Sequence, residues 1–151
     1  MNDKFNTVEN LVKNFLSADS DLAGIVNTFE QKLRADVNTY MQHELPAIAV
    51  HSTGYGIDVT QSDSRKLAYI DTTIEIVHRG GDLASVDDTV KQITSLVIDK
   101  LRLESPLNDG GGFGQAVDDI RIDRADIIPS QINNAFTVIG NVDAQIGIIE
   151  R

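Results

Sequence analysis

The chain contains no cysteine and no tryptophan, has only three prolines, and has no apolar run near the roughly 18 residues needed to span a membrane. Without cysteine there are no disulfides, no thiolate metal sites and no cysteine nucleophile, a pattern expected of an intracellular or unstapled protein. Aromatics make up only 5% of residues, so the core must rest on Ile, Val and Leu. Basic residues are also scarce. Thirteen Lys and Arg stand against 23 Asp and Glu, for a net charge of −10. Sequence-independent nucleic-acid binding needs a basic surface, and no basic run is present. The acidity reads first as a soluble surface and, more sharply, as a surface that repels DNA. The start, "MNDKFNTVEN", lacks the basic-then-apolar pattern of a secretion signal. At 41% hydrophobic and 24% charged, the composition is that of a folded globular protein. A length of 151 residues predicts a single domain, with residues 1–19 as an N-terminal helical extension.

Hydrophobic spacing predicts the elements. "TVENLVKNFL" places Val8, Leu11, Val12, Phe15 and Leu16 on one helical face, with Thr7 as the expected cap. Steps of three and four through Leu22, Ile25, Val26, Phe29, Leu33, Val37 and Tyr40 predict a long helix over about 21–41. "AIAVH" reads as a short strand and 52–65 as a polar loop. In "KLAYIDTTIEIVH", Ile70, Thr72, Ile74 and Ile76 alternate with Asp71, Thr73 and Glu75, which predicts a strand with one wet face. "SVDD" matches a capping box on Ser85 and Asp88, opening a helix that buries Val86, Val90, Ile93, Val97 and Leu101 and ends near Arg102. Asp87 and Asp88 are expected in its first turn and Lys100 and Arg102 in its last, opposing the helix dipole. "AVDDIRID" reads as a strand and Pro129 as a loop. "AFTVIGNVDAQIGII" reads as a long closing strand in which Gly140 marks a bulge or bend. The expected fold class is α+β. It has an αββαββ order in which two long helices lie on one face of a mainly antiparallel or mixed four-stranded sheet, with a short N-terminal helix added. The wet strand sides predict an open second face.

No catalytic constellation emerges. "GGGFGQ", Gly110 to Gln115, follows a helix and precedes a strand, the reverse of a phosphate-binding loop, and its spacing fits neither nucleotide fingerprint. "HELPA" opens like a zincin site, but Ala47 stands where the second histidine would be, and His51 and His78 show no ligand spacing. "VDDIRIDRAD" is not a calcium loop. Asp119, Arg121 and Asp123 are expected on one side of a strand as solvated cross-strand pairs or intersubunit ion pairs. No cofactor and no enzymatic activity are expected. Two long glycine-rich polar stretches, 52–65 and 104–115, stand out for a compact domain. Phe113, a lone aromatic among glycines, suits a loop that orders against a partner. Tyr55, Ile57 and Arg65 in the first stretch, Gly111 and Phe113 in the second, and Asp119 and Arg121 beyond it are the candidate assembly residues.

This organisation resembles the tail terminator proteins of long-tailed bacteriophages, the lambdoid minor tail family, or a related neck or tail-completion protein. The likeness spans about residues 20–150. It is carried by "LPAIAV" and "YIDTTIEIV", by "LRLESPLNDGGGFGQAVDDIRI", and by the closing "AFTVIGNVDAQIGI". The resemblance implies a non-catalytic virion subunit in the tail or neck, made in the host bacterial cytoplasm. Its partners would be copies of itself in a ring, typically a hexamer, together with the tail tube protein and the head-completion or connector protein. DNA would pass through the lumen without specific binding, which an acidic lining suits, and no membrane is involved. It carries over no residue roles. The second reading is a ferredoxin-like ligand-binding or regulatory module, since αββαββ is a circular permutation of that order.

Overall fold

The computed structural model describes residues 3–34, 36–57, 66–103, 117, 119–132 and 135–150. Among these described residues, three α-helices and five strands follow in the order α1 (Lys4–Ala18), α2 (Ser20–Ala23), β1 (Thr28–Gln31), β2 (Ala47–Ile57), β3 (Lys66–Gly80), α3 (Leu83–Leu103), β4 (Asp119–Ile132) and β5 (Ala135–Glu150). The sheet runs β1-β2-β3-β5-β4. Only β1–β2 is parallel; the other three pairs are antiparallel.

The class is the expected α+β, but the sheet has five strands, not four, and the order is not αββαββ. The difference lies in the predicted helix over 21–41. Asp19 accepts from the Leu22 amide (3.0 Å) and starts α2, and Gly24 ends it after a single turn. The chain then extends as β1, turns at Lys32 (φ 76°) and makes two short 3₁₀ turns, Val37–Thr39 and Gln42–Glu44. The apolar residues with helical spacing go to different places. Leu22 and Val26 enter the main core, Phe29 packs against it from a strand, and Tyr40 belongs to a separate cluster. α1 takes the place of the missing helix. Val8, Val12 and Leu16 are fully buried, and Leu11 and Phe15 pack beside them, as their spacing predicts.

α3 buries all five residues of its predicted stripe, Val86, Val90, Ile93, Val97 and Leu101. Its cap is Asp82, not Ser85. The Asp82 carboxylate accepts from the Ala84 amide (3.3 Å) and from the Ser85 hydroxyl (2.7 Å), so Asp87 and Asp88 fall one turn later than expected. α1 is likewise capped by Asp3, which accepts from the Asn6 amide (2.9 Å), and Thr7 lies inside the helix. The α1 side of the layer covers β1 and β2, while α3 lies over β3, β5 and β4. Between helices and sheet sit Ile48 and Val50 of β2, Ile70, Ile74 and Ile76 of β3, and Val138, Val142, Ala144, Ile146 and Ile148 of β5.

Three further expectations change. Residues 52–57, read as loop, extend β2. Pro129, also read as loop, lies within β4 opposite Val138. Proline is tolerated there because β4 is the last strand of the sheet and its outer backbone edge has no ladder to complete. Gly140 makes no bulge. It pairs regularly with Ile76 and Ile127, and its missing side chain serves the close approach of α3, because a Cβ would overlap Thr94 Oγ1 and lie 3.1 Å from Val90 Cγ1.

Candidate assembly surface

The sheet face away from the helices is the wet face that the alternation predicts, but only part of it is open. At one end the segment from Asp36 to Pro46 folds across it. There Tyr40, 1% exposed, packs with Leu45, Ala47 and Val77, with Ile139 alongside. Charges hold this lid in place. Arg34 stacks on the Tyr40 ring (3.8 Å), gives Nη2 to Glu30 (2.5 Å) and Glu44 (2.7 Å), and gives Nη1 to the Thr39 carbonyl (3.2 Å). The Tyr40 hydroxyl donates to Glu30 (2.9 Å), and Arg79 donates to the Tyr40 carbonyl (2.5 Å). Burial, then the hydrogen bond to Glu30, pushes the Tyr40 phenol well above its ordinary range. The hydrogen bond from Arg34, then that from the Met41 amide, holds Glu44 below the usual carboxylate value.

Beyond the lid the face is polar and largely paired within itself. Thr73 donates to Asp143 (2.9 Å), Gln145 donates to Asp71 (3.2 Å), and Arg124 bridges Asp126 (2.8 Å). At the far end the Tyr69 hydroxyl donates to Asp119 (3.0 Å), and Arg121 lies over the Tyr69 ring (4.5 Å) with Nε 3.0 Å from Asp119. Tyr69 is only 7% exposed because its ring lies against Gly147, where a Cβ would stand 3.1 Å from it. Asp119 and Arg121 therefore share one side of β4, but they pair with each other along the strand and not across strands. Asp123 does not join them. The ladder slips between Ile122 and Arg124, so Asp123 is the extra residue of a bulge, and Arg124 and Asp126 continue the row.

The other candidate residues divide. Tyr55 lies on β2 opposite Ile70, on the helix side of the sheet, 42% exposed, with Lys4 Nζ 5.8 Å from its ring. It shares the far end of the sheet with Asp119 but faces the opposite way. Ile57 pairs with Ala68 at that end. Arg65, Gly111 and Phe113, and with them most of the two glycine-rich stretches, lie outside the described residues. Spacing alone did not reveal Arg34 or Tyr69, and it marked Tyr40 as buried but assigned it to a helix face and not to the lid. Gly147, a glycine inside a strand, was the available signal for Tyr69, because it marks a close approach.

Two carboxylates stand apart, one buried and one half-buried. Glu9 of α1, 2% exposed, accepts from the Ser52 amide (3.3 Å), which the short β1 leaves without a strand partner, and it lies 3.9 Å from Lys32 and 3.7 Å from His51 Nδ1. Glu75, beside the lid, has one oxygen buried without a partner, and burial raises its pKa. Between its ordinary and its raised value, Glu75 binds more protons folded than unfolded, so its contribution to stability falls as pH rises through that window. Glu75→Gln is expected to raise stability at pH 7 by roughly 0.5–1 kcal/mol, a figure kept small because the group is part-solvated. The gain should vanish below pH 4.5, where the carboxylate is protonated in both states. Thermal melts at pH 4, 5.5 and 7 check this, and an equal gain at every pH would contradict it. His78, by contrast, is held below its ordinary value by burial, and its Nδ1 has no partner.

Among the described residues, no three His, Asp or Glu side chains converge to hold a metal ion, and no helix is long and apolar enough to cross a membrane. Among the described residues, the exposed large apolar ones are Phe5 and Tyr55 at one end, and Met41, Leu83 and Ile128 at the other. No protein-family model and no curated protein matches the chain. Among solved structures, a chain from the virion of a native gene transfer agent particle shares this fold. The TM-score is 0.52 at 14% identity, over 93% of this chain and 94% of that one.

Proposed function

We propose that this chain is a structural virion protein of a phage-like particle, and within that class a tail terminator. Copies assemble into a ring, six by the family resemblance, which caps the tail tube, stops its growth and joins the tail to the head connector. The observation that carries the virion reading is the shared fold with a virion chain over nearly the whole length of both. The terminator role rests on the resemblance of the strand and loop motifs described above. The chemistry of the surface is compatible with it. The open sheet face bears Asp71, Asp119, Asp126 and Asp143, and the arginines there, Arg121 and Arg124, are already engaged with Asp119 and Asp126. A face of this kind offers a DNA backbone little to hold. The protein has no catalytic role in this reading.

The test is genetic and visual. Particles assembled without this chain should yield tail tubes of uncontrolled length and heads without tails, and adding the purified protein to growing tubes should fix their length. Tubes of normal length joined to heads in its absence would remove the terminator role, while the virion assignment would then depend on finding the chain in purified particles.

A further inference from the structure

We infer that Pro129 and the bulge at Asp123 close the outer edge of β4 to strand addition by a second copy of this chain. Neither feature depends on copies forming a ring. Among the described residues no strand lies beyond β4, although β4 is 14 residues long. An edge of that length is a template for another chain unless something interrupts it. The direction of each backbone group follows from the ladder. The Val50 carbonyl accepts from the Lys32 amide (2.6 Å) and the Ser52 amide donates to Glu9 (3.3 Å), so both residues turn their backbone groups away from β3. Alternation carries this across the sheet. His51 turns to Thr73, Ile74 turns to Val142, and Asn141 and Ile139 turn to Asp126 and Ile128. The residues of β4 whose backbone faces outward are then Ile120, Ile122, Ala125, Ile127, Pro129 and Gln131.

Two features break that row. The bulge makes the step from Ile122 to Ala125 three residues where a regular strand has two. Pro129 has no N–H to give. A partner ladder therefore finds no more than two successive donors, Ile120 and Ile122 or Ala125 and Ile127. The segment needs such a stop. "ADIIPSQI", Ala125 to Ile132, is rich in isoleucine and its one charge, Asp126, is already met by Arg124. Ile128 is 49% exposed within it. High strand propensity, low charge and exposed apolar surface mark segments that stack on their own copies, and a proline is what such segments lack. With an amide at position 129, the outward row from Ala125 to Gln131 would be unbroken.

Pro129→Thr restores that amide at an exposed position. With the fold intact by circular dichroism, this variant should raise the mean mass in light scattering about threefold or more over the unsubstituted protein at the same concentration. The amides of Ala125 and Ile127 should gain protection from hydrogen exchange in the associated species. Should the threonine variant not fold, Pro129→Ala supplies the same amide and should behave alike. Gln131→Thr is the control, because it places a threonine on the same face and adds no donor; its mass should match that of the unsubstituted protein. Unchanged mass in the Pro129 variants would overturn the inference. An equal rise in the Gln131 variant would overturn it too, by tracing the effect to the side chain and not to the amide. So would protection of the Ala125 and Ile127 amides when the unsubstituted protein associates, since its edge would then be pairing as it stands.

Discussion

Tyr40→Ala is expected to cost about 3–5 kcal/mol, the range for truncating a fully buried aromatic. The ring is 1% exposed and forms the centre of a cluster with Leu45, Ala47 and Val77. Its loss removes more than area. Arg34 loses the surface it stacks on, and Glu30 loses the phenol that donates to it. The lid from Asp36 to Pro46 then keeps Leu45 as its apolar member of the cluster with Val77 and Ile139. Tyr40→Phe separates the two contributions, since it keeps the packing and gives up one hydrogen bond to a charged acceptor, so it should cost about 1.5–3 kcal/mol. Urea denaturation of the two variants measures both numbers. A cost below 1 kcal/mol for the alanine variant would mean that the lid adds nothing to the fold.

The second large effect is expected at Gly140→Val, about 3 kcal/mol at the upper end of overpacking costs. Here α3 presses on β5 so closely that even a methyl group would overlap Thr94 Oγ1 and crowd Val90. Thr94 is itself 4% exposed and has no hydrogen-bond partner for its hydroxyl, so it cannot swing into solvent without opening the core. The smaller Gly140→Ala should be partly rescued by Thr94→Ala, with a coupling of about 1 kcal/mol or more in the double-mutant cycle. Simple additivity would show that the helix shifts away as a body instead.

These two sites mark what a linear reading reaches and what it does not. α3, β3 and β5 were legible because each element buries one face along its whole length, so period and burial agree from Val86 to Leu101 and from Val138 to Ile148. The segment from Leu22 to Tyr40 defeated the same reasoning. Its apolar steps of three and four are shared among a one-turn helix, a strand and a lid that packs on the other face of the sheet. Glu30 and Arg34 even form an i,i+4 ion pair of helical type, yet here it closes a bend after β1. The contrary local signals, Asp19 as a cap and Gly24 five residues later, are weaker than a long apolar stripe. The parallel β1–β2 pair depends on contacts between distant segments, so no local pattern announces it. At the candidate surface, Asp119 and Arg121 were legible as alternating charges. The bulge at Asp123, which passes the row on to Arg124 and Asp126, was not, because one added residue leaves no compositional trace. Pro129 misled for a related reason. It signals a loop unless the strand is known to lie at the sheet edge.

A ring of copies within a virion is the working form proposed for this chain. Light scattering of the purified protein across concentration and salt, with and without tail tubes, followed by negative-stain imaging of the largest species, puts that form to the test. Rings of about six subunits are expected, either free or seated on tube ends. A protein that stays monomeric at every concentration and leaves tube ends bare would contradict it.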